Sequence, residues 1–336
     1  MTRRLAVGAA VGALVCLLAA ACGSTGTTAG PTPTTVARAG AGTTRSHRGP
    51  FAVGKRTVTF TDTSRKTPAN GSLPEKPTRT LETLVMYPAQ GTPDPDHQVE
   101  GATPAPGRFP VVVYVHGFSA HAEGPYLHYW AAAGFVAVAP SFPLTNTDAP
   151  GGPNIADAVN EPGDVSFVIS ALLHLPPRQA DVQRIIDPGA IAVMGTSLGA
   201  GVAHELAYNS RSRDPRVKAA VEVAGGCSAC AANGLDPNGT YFAGPSVPLM
   251  LIHGTADPVA PYQGSVQEFA REPAPKYLVT LTGAKHVQFD PPWEAIAARS
   301  TIDFFARYLA HDDEGLRRLT TDANVPNLAT LQQEPG

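Results

Sequence analysis

Residues 190–201 read A-I-A-V-M-G-T-S-L-G-A-G: an apolar run of strand length, then G-x-S-x-G, then a helix-like segment over 198–209. Between a strand and a helix this pentapeptide has a mechanical meaning. The turn must be sharp enough for the Ser197 hydroxyl to stand clear above a sheet, and side chains at 195 and 199 would clash in so tight a bend. Glycine occupies both positions. The helix that follows points its N-terminus at the same place, which favours developing negative charge there. Ser197 is the candidate nucleophile.

Outward from this turn the chain alternates. Two β-rich segments come first, 56–61 and 81–87, separated by a Pro- and Gly-rich surface loop. Short, almost wholly apolar runs follow at 111–115, 135–139, 190–194, 217–223, 249–252 and 277–281. Strands that read this way are buried on both faces, as parallel strands are. Helix-like segments at 124–133, 165–175, 198–209, 263–271 and 294–309 lie between and after them. The pattern predicts an α/β fold: a mostly parallel eight-stranded sheet with helices on both faces.

With that turn in that context, the chain resembles the α/β-hydrolase family over nearly all of residues 50–312. The resemblance implies a nucleophile, an acid and a histidine in that chain order. Asp257 follows the 249–252 run in H-G-T-A-D-P-V, and His286 follows the 277–281 run in G-A-K-H-V. Both lie just past the carboxyl ends of predicted parallel strands, where open α/β sheets carry their sites. Among competing acids, Asp236 sits in an irregular loop and Asp290 follows His286 too closely. Of the other histidines, His204 lies inside a helix, His253 ends a strand and His174 reads as a helix end. The first buried strand runs into His116-Gly117-Phe118-Ser119-Ala120, similar to the family's oxyanion turn. The resemblance assigns the oxyanion hole to the backbone N–H groups of Phe118 and Leu198, with His116 as a structural hydrogen-bonder.

The stretch F-P-V-V-V-Y-V-H-G-F-S-A-H (109–121) and the opening 53–88 resemble the platelet-activating-factor acetylhydrolase, chlorophyllase and dienelactone-hydrolase-like branch. This implies a serine esterase or lipase acting on small or lipidic esters through an acyl-enzyme, without metal or organic cofactor. Dienelactone hydrolases proper use a Cys nucleophile, where this chain has Ser197. Polyester hydrolases typically place a Trp after the sixth strand, where this chain has Ala224-Gly225-Gly226. Acyl transfer and cutinase-like depolymerisation by the same triad remain as alternatives, as does a surface binding protein with an idle hydrolase fold. Only about 25 residues separate the 217–223 and 249–252 runs, too few for a large lid domain. Phe118, Ser119, Tyr126, Phe142 and Trp293, with Tyr241 and Phe242, are the expected pocket walls.

The first residues carry an address. Arg3 and Arg4 precede an apolar run ending in Ala19-Ala20-Ala21-Cys22, a secretory signal over 1–21 that resembles a bacterial lipobox with Cys22 as the lipidated residue. Residues 22–48, rich in Thr, Gly, Pro and Ala, read as a tether. The expected domain is 49–311, followed by a polar tail, 312–336. The expected location is outside the cell membrane on a lipid anchor, with plain secretion as the alternative. In an exported chain Cys227 and Cys230 can close a short disulfide. There is no H-E-x-x-H, and one C-x-x-C without a second pair makes no zinc site.

Composition bounds the rest. Gly and Pro, 33 each of 336 residues, mean many turns and little long helix. Hydrophobic residues at 43 % are enough to build a core. A net charge of −3 without a long basic run leaves no electrostatic footprint for nucleic acid. The sequence leaves the oligomeric state open, with a monomer favoured, and an ester is the expected small-molecule partner.

Overall fold

The computed structural model describes residues 49–175, 180–225, 240–242, 244, 246–287 and 290–336. The signal and tether, Cys22, Asp236 and the Cys227–Cys230 pair lie outside these residues. So does most of the connection in which a lid would sit.

Ten strands form one sheet among the described residues: β1 (Ala52–Asp62), β2 (Arg79–Ala89), β3 (Gln98–Glu100), β4 (Phe109–Val115), β5 (Val136–Ser141), β6 (Ile186–Thr196), β7 (Val217–Val223), β8 (Leu249–Gly254), β9 (Lys276–Leu281) and β10 (Ala329–Glu334). Their order is β10-β9-β8-β7-β6-β4-β5-β2-β1-β3. The six central strands from β5 to β9 are mutually parallel; β2 joins them antiparallel to β5. All seven residues of β4 are buried. Side chains on a strand alternate between faces, and β4 supplies both cores. Val111, Val113 and Val115 join one with Ile191 and Val193; Val112 and Tyr114 join the other with Ala192 and Met194.

Each core is closed by its own helices. On the first face lie α2 (Glu161–Leu172), α4 (Leu198–Tyr208) and α5 (Tyr262–Arg271), which contribute Val168, Leu206 and Phe269. On the second lie α1 (Leu127–Ala133), α6 (Trp293–Leu309) and α7 (Glu314–Asp322), which contribute Trp130, Phe304, Phe305 and Leu319. A short α3 (Ala180–Arg184) precedes β6.

Two expectations change. The sheet has ten strands rather than eight, because β3 and β10 add an edge at each side. Residues 312–336 are no loose tail: α7 sinks Leu319 completely into the second core, and β10 pairs antiparallel with β9 from Ala329↔Leu281 to Glu334↔Lys276. This segment is polar because a surface helix buries one stripe and an edge strand needs little burial. Arg318 ties it down, donating to Asp303 at 2.7 Å and Asp312 at 2.6 Å.

Candidate active site

The strand register sets the platform. Val115 pairs with Gly195, Thr196 with Val223, Val223 with Ile252 and Gly254 with Leu281. The carboxyl ends of β4, β6, β7, β8 and β9 therefore finish together, and the loops leaving them meet.

Ser197 sits between β6 and α4 with φ 54° and ψ −117°. That is a costly conformation for a residue with a Cβ, held here by the surrounding turn. The Ser197 N–H donates to the Val223 carbonyl at 2.9 Å, and its own carbonyl accepts from Ala200 at 3.0 Å. The flanking glycines are sterically required. A Cβ on Gly195 would lie 1.8 Å from the Gly199 carbonyl oxygen, and one on Gly199 would lie 2.2 Å from that of Val115.

The loops after β8 and β9 are stapled to each other. Thr255 N–H donates to Leu281, Ala256 N–H to Ala284, and Gly283 N–H to the Thr255 hydroxyl at 2.9 Å. Gly254 permits this approach, since a Cβ there would stand 2.2 Å from the Ala284 oxygen. The staple brings Asp257 and His286 together and sets both against Ser197. His286 Nδ1 lies 2.7 Å from Asp257 Oδ2, and Nε2 lies 2.9 Å from Ser197 Oγ. A carboxylate only accepts, so Nδ1 carries the proton and Nε2 is left to take one from the serine. The side chain of Asp257 is shielded from solvent, and burial alone would favour its neutral form. The hydrogen bond from His286 and the amides of Ala260 (2.9 Å) and Val259 (2.8 Å) outweigh it and hold the carboxyl below its usual range.

The turn after β4 faces the same point. Phe118 N–H donates to no backbone carbonyl among the described residues. Leu198 is the first residue of α4, where no intrahelical acceptor exists for its N–H. Leu198 directly follows Ser197, and Phe118 lines the same cleft as Ser197. Behind the turn, Ser119 N–H donates to the Thr145 carbonyl at 2.7 Å, and the Thr145 hydroxyl donates to buried Glu161 at 2.6 Å. His116 has the structural place expected of it. Its Nδ1 meets the Gly117 carbonyl at 2.8 Å and its Nε2 accepts from Phe142 N–H at 3.3 Å. Burial pushes this ring down to about 4, so it is neutral at pH 7.

An open cleft of about 340 Å³ lies over Ser197 and His286, walled by Phe118, Tyr114, Thr196 and Val287. Phe118 is 41 % exposed, as a wall residue should be. Other expected walls are elsewhere. Tyr126 and Phe142 are core: the first packs on Trp130 with ring centroids 6.0 Å apart, the second on His116 at 4.9 Å. Ser119 is exposed, with its backbone turned to Thr145. Trp293 opens α6, with its ring edge beside Gly283 rather than lining the cleft. Tyr241 and Phe242 pack against His204, the first tilted and the second edge-on. The wall positions fall instead to Ala120, His121, Glu123 and Pro125, which follow the oxyanion turn and carry no aromatic signal.

No protein-family model and no curated protein matches the chain. Among solved structures it is similar to a ferulic acid esterase from Streptomyces cinnamoneus, with 20 % identity and a TM-score of 0.57 over 78 % of this chain and 91 % of that one. The fold is the α/β-hydrolase fold. Its usual topological rule holds here, with the site outside the carboxyl ends of the parallel strands.

One further cluster has metal-ligand spacing. Donor atoms of His204, Glu268 and Glu272, all buried, lie within 4.8 Å of one another. His204 Nδ1 is 2.9 Å from Glu222 Oε1 and 3.1 Å from Glu268 Oε1. Burial and the neighbouring Glu268 push the Glu222 carboxyl well above its ordinary range. His204 stands two helical turns beyond Ser197 on α4 and does not line the cleft.

Proposed function

We propose that the protein is a serine hydrolase of carboxylic esters. The observation that carries this reading is the unbroken relay Ser197 Oγ, His286 Nε2, His286 Nδ1, Asp257 Oδ2, with contacts of 2.9 and 2.7 Å, beneath two unengaged amides. His286 takes the Ser197 proton as Oγ attacks the acyl carbon, and Asp257 keeps the tautomer and offsets the imidazolium charge. The Phe118 and Leu198 amides bind the tetrahedral oxyanion; one such donor is typically worth about 10²–10³ in rate. On collapse the C–O bond to the alcohol breaks, and the alcohol leaves with the proton held on His286. Water then attacks the acyl-enzyme, giving its proton to His286, and Ser197 is regenerated as the acid departs.

The open cleft and its Phe118 wall suit esters of modest size. The likeness to a ferulic acid esterase makes aryl esters a natural part of a substrate panel. Assays of the full chain on p-nitrophenyl esters graded by acyl length test the reading. Wild type should hydrolyse the short ones, and Ser197→Ala should lose at least about 10³-fold in kcat. Full activity in Ser197→Ala would remove Ser197 from the mechanism.

From the sequence of residues 1–22 we further propose that the enzyme is held outside the cell membrane by a lipid on Cys22 and a tether of about 26 residues. Mass spectrometry of the mature N-terminus should find a diacylglyceryl Cys22. A free N-terminus at another residue would mean simple secretion.

A further inference from the structure

His253 is the last buried side chain of β8 before Gly254, and from sequence it is no more than a strand end. Its ring is fully buried, and its two nitrogens have different partners. Nε2 lies 3.1 Å from Asp257 Oδ2 and 3.0 Å from the Ala260 carbonyl oxygen. Both neighbours only accept, so this nitrogen carries a proton. Nδ1 lies 2.7 Å from the Ser265 hydroxyl, whose other neighbour is the Gly225 carbonyl at 3.0 Å. Burial drives the ring towards its neutral form, in which Nε2–H is the single ring donor and Nδ1 is an acceptor beside the Ser265 hydroxyl, whose one proton is shared between Nδ1 and the Gly225 carbonyl. Asp257 Oδ2 thus faces two ring N–H groups, that of His286 and that of His253, the latter shared with the Ala260 carbonyl, while Oδ1 receives two amides.

We propose that His253 is a positioning residue of the hydrolytic site. Its Nε2–H pins Asp257 Oδ2 where His286 Nδ1–H reaches it, and takes up part of the charge on that oxygen. The inference rests on the Ser197–His286–Asp257 assignment and deepens it. Asp257 would otherwise hold His286 through an oxygen steadied on one side only. With His253 in place the carboxylate is fixed at both oxygens, and His286 is spared the full pull of an under-solvated anion. The titratable groups that face His253 are Asp257 from its own loop, His286 from the loop after β9, and Tyr262 from α5, whose ring packs edge-on at 5.9 Å.

The test compares His253→Leu, which removes the donor, with His253→Gln, whose amide nitrogen can replace it, both in the full chain. His253→Leu should lower kcat by about tenfold on the alkaline plateau, with KM within about twofold. Its Asp257, left with fewer donors, should strengthen the pull on His286. The acid limb of kcat/KM then moves up by about half a pH unit. His253→Gln should recover most of kcat and return the limb towards wild type. Ser265→Ala, which loosens the ring without removing it, should lose about threefold in kcat with a shift in the same direction. That variant decides the matter if His253→Leu fails to fold. Equal losses in the Leu and Gln variants, or an unmoved acid limb in His253→Leu or Ser265→Ala, would overturn the proposal. NMR titration of the His286 ring needs no substrate and separates this inference from the hydrolase reading. A higher midpoint in His253→Leu supports the proposal even if no ester is cleaved, and an unchanged midpoint overturns it even if esters are.

Discussion

The same dipeptide stands at the end of two strands of this sheet: His116-Gly117 follows β4, and His253-Gly254 closes β8. Both histidines are buried, and both glycines stand where the chain leaves the sheet for the site. Their rings are used differently. His116 turns onto its own loop, bonding Gly117 and Phe142, and so shapes the turn that presents the Phe118 amide. His253 reaches past its loop's backbone to the side chain of Asp257. In the proposed reading one ring supports the turn that carries the Phe118 amide, and the other the acid that holds His286. A His-Gly pair at a strand end therefore says that a ring will be buried there, and the next turn decides what it holds.

The two glycines differ in what surrounds them. A Cβ at 254 would meet the Ala284 oxygen at 2.2 Å, a backbone atom on the loop that carries His286. At 117 it would meet the Thr196 oxygen at 3.2 Å and Ser197 Cβ at 3.3 Å, contacts a small shift relieves. Gly254→Ala should cost at least about 10²-fold in kcat, because even a 1 Å displacement in a relay is that expensive. Gly117→Ala should cost only about tenfold or less, since it perturbs one oxyanion donor without removing it. Steady-state kinetics on one ester measures both, and equal losses would mean the two strand ends are equally tight.

A smaller effect sharpens the same contrast through pH. The folded-state His116 titrates near 4, below the roughly 6.5 of an exposed histidine. The unfolded chain then binds a proton that the folded chain refuses between those values. Stability from this ring is therefore complete above about pH 6.5 and declines as pH falls towards 4. Its share of the loss is on the order of 3 kcal/mol. Chemical denaturation between pH 4 and 7 should show that slope, and His116→Asn should remove the part due to this ring. A slope unchanged in the variant would place the titration elsewhere. Asp257 acts lower on the scale: its depressed value adds stability that is present above the ordinary carboxylate range and is lost as pH falls through it.

What was legible in the sequence follows from where burial is two-sided. The six parallel strands announce themselves as apolar runs because neither face meets water. The turn at Ser197 was legible because its glycines are forced by contacts under 2.5 Å. Asp257 and His286 were legible because chain order and strand ends narrowed the choice. The tail was not, because α7 and β10 bury only Leu319, Ala329 and a few neighbours against an existing core. The cleft walls were not, because an aromatic residue near a loop can turn either way. Tyr126 and Phe142 turn inward to the sheet, and Phe118 turns out. His253 was hidden for a related reason, since its partner is a side chain four residues on, beyond the bend.

Covalent labelling by a fluorophosphonate asks whether Ser197 is an activated nucleophile. The full chain should take up one phosphonyl group, found by peptide mass spectrometry on Ser197. Labelling should be abolished in Ser197→Ala and strongly slowed in Asp257→Asn. Labelling of another residue, or none at Ser197 in a folded wild-type protein, would contradict the account.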